Sequence, residues 1–414
     1  MRADLAPLRE REFRLLFAGR TVSLLGSAIA PVALAFAVLD LTGSKIDLGL
    51  ILAARQIPLI VFILVGGIWA DRLPRNRVMV GADVVSGLTQ ATVATLLIVG
   101  TPEIWQLAAL VALNGTSTAF FFPASSGIIP QTVPASLLQS ANALLRLGIN
   151  GSMIAGAAAA GFLVAAFGSG TALAVDAATY FLGAVFISLM RLPTSLKMEA
   201  QHFLRELGEG WREFRSRTWL WVIVIQFSLV NAVESGALNV LGPVVSEQEL
   251  GGARDYGLIL TAQGIGLVVG GFVGLRYKPK RMLLVATGAI LLMPLVLVAL
   301  GFPLALPIIL VAGFVAGLGI ETFGILWDTT MQREIPPESL SRVYSYDMLG
   351  SIAFVPIGLA VAGPVADLVG TRETLWGAAA IVVLATLPVF AVRDVRTLER
   401  REQPPNGELS AAAS

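Results

Sequence analysis

The sequence predicts an all-α membrane protein whose twelve transmembrane helices form two six-helix halves related by pseudo-symmetry. Three observations carry this expectation. The 414-residue chain is 56% hydrophobic and only 14% charged, with a mean hydropathy of +0.78, whereas soluble domains carry about a quarter charged residues. Its apolar residues gather into runs of about 20 or more, the length that crosses a bilayer as a helix. A charged turn in the first half of the chain recurs, in altered form, in the second.

Taken in order, the runs are Phe13–Leu39, Leu48–Ala70, Val78–Val99, Ile104–Ile129, Ser136–Phe167, Thr171–Met190, Trp219–Val245, Tyr256–Leu275, Met282–Gly301, Leu304–Thr330, Ser341–Val369 and Leu375–Val392. The first follows Arg2, Arg9, Arg11 and Arg14. It is too long for a signal-peptide core and lacks a small-residue cleavage site, so it reads as an uncleaved span. Alternate connections are strongly basic (Arg9–Arg14, Arg72–Arg77, Arg191–Arg217, Arg276–Arg281, Arg333–Arg342 and Arg393–Arg401), while the opposite loops carry only Lys45, Arg254 and Arg372. The positive-inside rule therefore places both termini in the cytoplasm of a bacterial plasma membrane.

The connections are short except for Leu192–Thr218. There Phe203, Leu207, Trp211 and Phe214 recur at helical spacing among charged residues, which predicts an amphipathic helix lying on the cytoplasmic membrane surface. The chain thus divides into a first half (1–191), a linker (192–218), a second half (219–392) and a polar tail (393–414) expected to be disordered. There is no cysteine and one histidine, His202, at the start of the linker helix. This excludes disulfides and thiolate metal sites, and disfavours any histidine-based catalytic or metal centre. A net charge of +1 with no basic, aromatic-rich domain gives no footprint for nucleic acid. The segment "GSGTALAVD" near Gly168 lacks the lysine of a phosphate-binding loop, and no tightly bound cofactor is indicated.

The recurring turn is "GGIWADRLPRNR" at 66–77, matched by "GGFVGLRYKPKR" at 270–281. "VPASLLQSANAL" at 133–144 is matched at nearly the same offset by "PPESLSRVYSYD" at 336–347. Both pairs keep their direction relative to the membrane. That is a parallel repeat, and transporters built this way hold substrate between the halves near mid-membrane.

On these residues the chain resembles the major facilitator superfamily, over about residues 10–395. Gly67, Asp71, Arg72, Arg75 and Arg77 match the superfamily's loop between spans two and three, with Pro74 in place of the second glycine and Asn76 in one basic position. "FFFPASSGIIPQTVP" (120–134), "SANAL" (140–144) and "DAATYF" (176–181) are similar to the drug-exporter branch that includes macrolide and enterobactin exporters. Two features depart from exporters: span four has no arginine, and span five has glycines in "GSMIAGAAAAG" but no proline.

Ionisable groups inside spans are costly, about 2.5–3.5 kcal/mol each on insertion scales, so each needs a reason. Glu234 in span seven lies ~22 Å from the cytoplasmic end and Glu321 in span ten ~18 Å deep. The resemblance places both spans around the central cavity, which makes these acids the candidates for proton coupling. Asp328 and Asp347 lie nearer the cytoplasmic face and suit an ion-pair network or gate. Arg146 and Arg55 are candidates to pair with a carboxylate, Asp176 among them for Arg55, or to bind an anionic substrate group. Asp83 and Arg20, near the cytoplasmic ends of their spans, read as structural. Phe36, Phe120, Phe121, Phe227, Trp327, Tyr346 and Phe354, with the polar points Asn114 and Asn231, are candidates to line a pocket for an amphipathic ligand. The resemblance further implies that Asp71 docks on the start of span eleven, near Ser339–Arg342, as a cytoplasmic latch, with Arg72 and Arg75 anchoring the same turn. The second copy of the turn has Leu275 near the place of the acid, so the latch is one-sided.

The expectation is a monomeric secondary transporter that exports a small amphipathic drug or natural product, takes protons as its driving ion and is surrounded by membrane lipids. A metabolite or siderophore-type symporter and a membrane-embedded enzyme are the competing readings. The poverty of histidine and cysteine, and the lack of an acid–base pair at catalytic spacing, weigh against the enzyme.

Overall fold

A computed structural model of the chain describes residues 5–100, 102–192, 203–277, 279–302 and 305–399. Twelve helices in it are long and apolar enough to cross a membrane. Spans one to six are Arg11–Thr42, Lys45–Arg72, Arg75–Val99, Ile104–Gly127, Leu138–Phe167 and Ser169–Ser188. Span seven is Thr218–Glu249 and contains a π-helical segment, Ala237–Leu241. Spans eight to ten are Gly252–Arg276, Met282–Gly301 and Leu306–Glu334. Span eleven comprises Pro337–Ile352 and Val355–Val369, and span twelve is Thr371–Ala391. The expected runs and the helices agree to within several residues. Span two runs on to Arg72, and short 3-10 turns at Ile129–Gln131 and Ala135–Leu137 take up the ends expected for spans four and five.

The two halves repeat their packing. Span two packs on four as eight packs on ten, one on six as seven on twelve, and three on six as nine on twelve. The turns repeat as well. Gly168 between spans five and six and Gly370 between eleven and twelve both have positive φ, 80° and 104°. Only glycine adopts such a backbone without strain, so each half closes its last hairpin in the same way.

Between the halves, span two meets span eleven and span five meets span eight. Both seams depend on missing side chains. A Cβ at Gly161 would stand 2.8 Å from the Ala253 carbonyl, and one at Gly363 would stand 2.7 Å from the Lys45 carbonyl. Gly257 lies against Ala157 and Gly49 against Leu359 in the same pairing. Lipid offers no hydrophobic drive between helices, so close backbone approach supplies the attraction. These four contacts are two-fold related and lie toward the face opposite the described chain ends. The buried side chains follow suit. One apolar cluster there draws on both halves, whereas the clusters toward the terminal face belong to one half each. Phe36 of span one faces Tyr256 of span eight across the shared cluster, ring centroids 6.1 Å apart. Lys45 pairs with Asp367 at 3.0 Å beside it.

The distal equivalence is Gly49 with Gly257, and the terminal loops align 66–77 with 270–281. The two offsets differ by four residues, about one helical turn, so the repeat changes length without rotating its faces.

Two expectations need correction. The linker helix, Phe203–Ser216, does not spend its apolar face on the membrane surface alone. Phe214 is buried, Trp211 stacks on it with centroids 5.6 Å apart, and both rings lie against Tyr346 of span eleven. The tail expected to be disordered starts with a helix, Arg393–Thr397, whose Val395 is fully buried and whose neighbour Glu399 pairs with Arg281 at 3.3 Å. His202, and the tail from residue 400 on, lie outside the described residues.

Candidate functional site: the central cavity

Beneath the distal seal, spans one, two, three, four, seven, eight and eleven enclose a cavity of about 230 Å³. Its apolar wall includes Leu34, Leu52, Val111 and Leu359, and its polar points include Arg55, Gln90, Asn114, Ser235, Asn239 and Tyr256. Arg55 is the charged member of this lining. Its backbone is pinned because Gly115 of span four sits directly on the Arg55 carbonyl. Its Nε donates to Asn114 Oδ1 at 3.2 Å. Both contacts tie span two to span four, which fixes the guanidinium at mid-depth.

Behind this wall the first half holds a buried polar seam along spans one, three and six. Asp176, fully buried, accepts a 2.6 Å hydrogen bond from Gln90 Nε2. Ser27 donates to the Tyr180 hydroxyl at 2.9 Å, and Ser86 to Ser117 at 3.0 Å. Asp83, also buried, lies 3.5 Å from Ser23 Oγ. Asp176 is within electrostatic reach of Arg55 but forms no ion pair with it. Gly26 makes room for this seam, because a side chain there would collide with Thr179 and Asp176.

The second half places its acids differently. Glu234, one residue before the cavity-lining Ser235, hydrogen-bonds Gln263 of span eight. Glu321 packs on Gly270 and Gly271 of span eight and lies within electrostatic reach of Arg146 and Asp328. Asp328 accepts from the Tyr344 hydroxyl at 3.2 Å, and Asp347 accepts from Trp327 Nε1 at 3.2 Å. Arg146 of span five reaches across to Asp328 at 3.9 Å, with side chains 75% and 38% exposed.

The family model for transmembrane secretion effectors, a branch of the major facilitator superfamily, matches residues 2–412. The chain belongs to this family. It is 24% identical over 397 residues to macrolide efflux protein A of Streptococcus pyogenes, covering 94% of this chain and 97% of that protein. It is 26% identical over 408 residues to the multidrug efflux pump Tap of Mycolicibacterium fortuitum, covering 94% and 97%. Among solved structures it is similar to the nucleoside transporter NupG (TM-score 0.72, 15% identity, 94% of this chain and 99% of that one). It is also similar to a bacterial homologue of the human lysosomal transporter Spinster in an inward-facing, unoccupied conformation (TM-score 0.71, 15% identity, 96% and 99%). These relatives and neighbours are transporters, so the chain is a multi-pass secondary transporter for small molecules and not an enzyme.

Within this transporter the expected site residues separate into groups. Arg55 and Asn114 share the cavity wall, as a binding role requires. Phe120 does not join them. It lines a groove between spans three and four, together with Arg77 and Val85. Trp327 is 5% exposed, packed against Trp219 and Phe323 inside the second half. Asn231 donates to the Ser351 carbonyl at 3.0 Å and ties span seven to span eleven. Of the remaining aromatics, Phe227 stacks on Phe323, Phe36 belongs to the seal, and Phe354 lies on an outer groove beside spans seven and twelve. Bulky rings fill gaps between helices, and that use claimed them here.

Arg75 donates to the carbonyl of Gly127, the last residue of span four, a cation at a helix C-terminus within its own half. The side chains of Asp71 and Arg72 lie outside the described ones.

Sequence reasoning missed Gln90, Ser235, Asn239 and Tyr256. Asn239 lies in the π-helical segment, where the extra residue in the turn re-aims side chains, and such bulges recur at functional sites. No sequence signal marks that segment. Gln90 had a weak one, being an amide seven residues after Asp83 on the same face of span three.

Proposed function

We propose that this transporter exports an amphipathic drug or natural product from a bacterial cytoplasm by alternating access, as a monomer, driven by inward proton movement. The observation that carries this reading is the polar-pointed cavity between the halves, closed at the distal face by four glycine contacts. Its apolar wall fits the body of an amphipath. Glu234 flanks it from span seven, Glu321 lies nearer the terminal face beside Arg146 and Asp328, and the two are the proton-coupling pair. Arg55 and Asn114 contact substrate. Arg146, Asp328 and Asp347 belong to the closure of the terminal side. The basic residues on that side face the cytoplasm and its anionic lipid headgroups. The names of the efflux relatives support the outward direction.

The test is substrate flux into inverted membrane vesicles under an imposed pH gradient. Uptake should follow the gradient and fall at least about tenfold in the Glu234→Gln, Glu321→Gln double variant. Flux unchanged in both single variants and in the double would remove the coupling assignment.

Asp71 serves as the latch against the start of span eleven in the state closed toward the cytoplasm. Asp71→Asn should raise labelling of a cysteine introduced on the cytoplasmic side of the cavity, in a chain that has no native cysteine to interfere. Unaltered labelling would count against the latch.

A further inference from the structure

We infer that the cavity selects ligands carrying an oxyanion, a carboxylate above all, and that Arg55, held by Asn114, forms its binding point. This rests on the reading of the cavity as the substrate site and adds the charge of the substrate.

The inference comes from counting donors and acceptors. Arg55 has five N–H donors, and the structure engages Nε alone, on Asn114 Oδ1. Because that donor requires an oxygen opposite it, the orientation of the Asn114 amide is fixed, with its Nδ2 turned to the Tyr180 hydroxyl of span six. Asn114 is 2% exposed, so it serves to hold the guanidinium in place. Span two therefore presents the unspent donors of a permanent cation in the cavity wall.

No carboxylate is among the described residues of the cavity lining. Asp176 lies within electrostatic reach of Arg55 behind the wall, but accepts from Gln90 and forms no ion pair with the guanidinium, and Glu234 is turned to Gln263. Among the described residues Arg55 forms no ion pair. A planar guanidinium matches a planar carboxylate, which accepts two parallel bonds from it. The walls formed by Leu34, Leu52, Val111 and Leu359 then receive the apolar body.

The experiment is equilibrium binding to the purified full-length chain in lipid nanodiscs, with three fluorescent probes of similar size: dansylglycine, its methyl ester, and the cationic dansyl-ethylenediamine. The acid should bind about tenfold more tightly than the ester, and the amine most weakly. Arg55→Gln should bring the acid down to the level of the ester. Arg55→Lys should keep part of the preference. Equal binding of acid and ester by the unaltered protein, tighter binding of the amine, or no binding of the acid would each overturn the inference without needing any variant to fold. Binding does not depend on flux. An acid preference without proton-driven transport would therefore uphold this inference while the export reading fails, and the converse would do the reverse.

Discussion

Arg55 and Gln263 occupy the same slot in the two halves of the molecule. Each is on the second helix of its half, and each has its carbonyl covered by a glycine of the fourth helix, Gly115 or Gly317. The side chains do opposite things. Arg55 reaches an amide and keeps most of its donors free, while Gln263 reaches an acid, Glu234. The same contrast runs through each half. In the first, acids are buried behind the wall at Asp83 and Asp176, and the cavity sees a cation. In the second, the equivalent seam is neutral, with Gln226 donating to Thr386 at 2.8 Å and Thr287 fully buried, while Glu321 and Asp328 lie within reach of Arg146 of the partner half. The backbone repeat is conservative because helix–helix distance depends on it. The charges have diverged because each needs only a local partner.

That comparison can be broken or sharpened by substitution. The largest effect is expected where the halves are the same. Gly115→Val and Gly317→Val each force a branched side chain onto a backbone carbonyl, and each should lower stability by about 3 kcal/mol or more, read as a lower melting temperature or loss of monodisperse protein. Tolerance in one half alone would show that the slots are not equivalent. A smaller effect, and an unequal one, is expected in the seams. Asp176→Leu leaves Gln90 buried without its acceptor and should cost about 1–3 kcal/mol, whereas Gln226→Leu leaves only a threonine hydroxyl that still bonds the Val382 carbonyl and should cost about 1 kcal/mol or less. Equal losses in thermal unfolding would erase the distinction between a charged and a neutral seam.

The smallest effect is expected at the distal seal. Lys45 pairs there with Asp367, while its structural equivalent across the other seam is Ala253, whose carbonyl meets Gly161 as that of Lys45 meets Gly363. Asp367 is half exposed, so Asp367→Asn should weaken the seal by about 0.5–1 kcal/mol, raising labelling of a Ser44→Cys probe about two- to fivefold at low salt and less at high salt. A Lys45→Asp, Asp367→Lys exchange should restore the lower labelling if the pair acts across the seam as a pair.

Much of the fold was legible in the sequence. The bilayer removes water from the backbone, so a run of about 20 apolar residues has to be a helix, and its ends are marked by charge. The recurrence of 66–77 at 270–281 gave the two halves. The site was legible only in part. Arg55, Asn114 and Glu234 stood out because a polar group in an apolar run needs a reason. Phe120, Trp327 and Asn231 lie outside the cavity lining, which the sequence could not show because helices apolar on nearly every side do not declare which side meets a neighbour, which meets lipid and which meets the cavity. Asp83 was expected to be structural, and its place in the same seam as Asp176 needed the packing of spans one, three and six.

By itself, then, the sequence determined the number of spans, the asymmetry of charge between the two faces and the family, all of which depend on local composition and short motifs. The tertiary structure alone decided that four glycines close one face, that a π-helical segment turns Asn239 into the cavity, and that Arg55 keeps most of its donors unspent. The physical reason is that helix rotation in a membrane is set by where backbones can approach most closely, and that is a property of pairs of helices which neither member encodes alone.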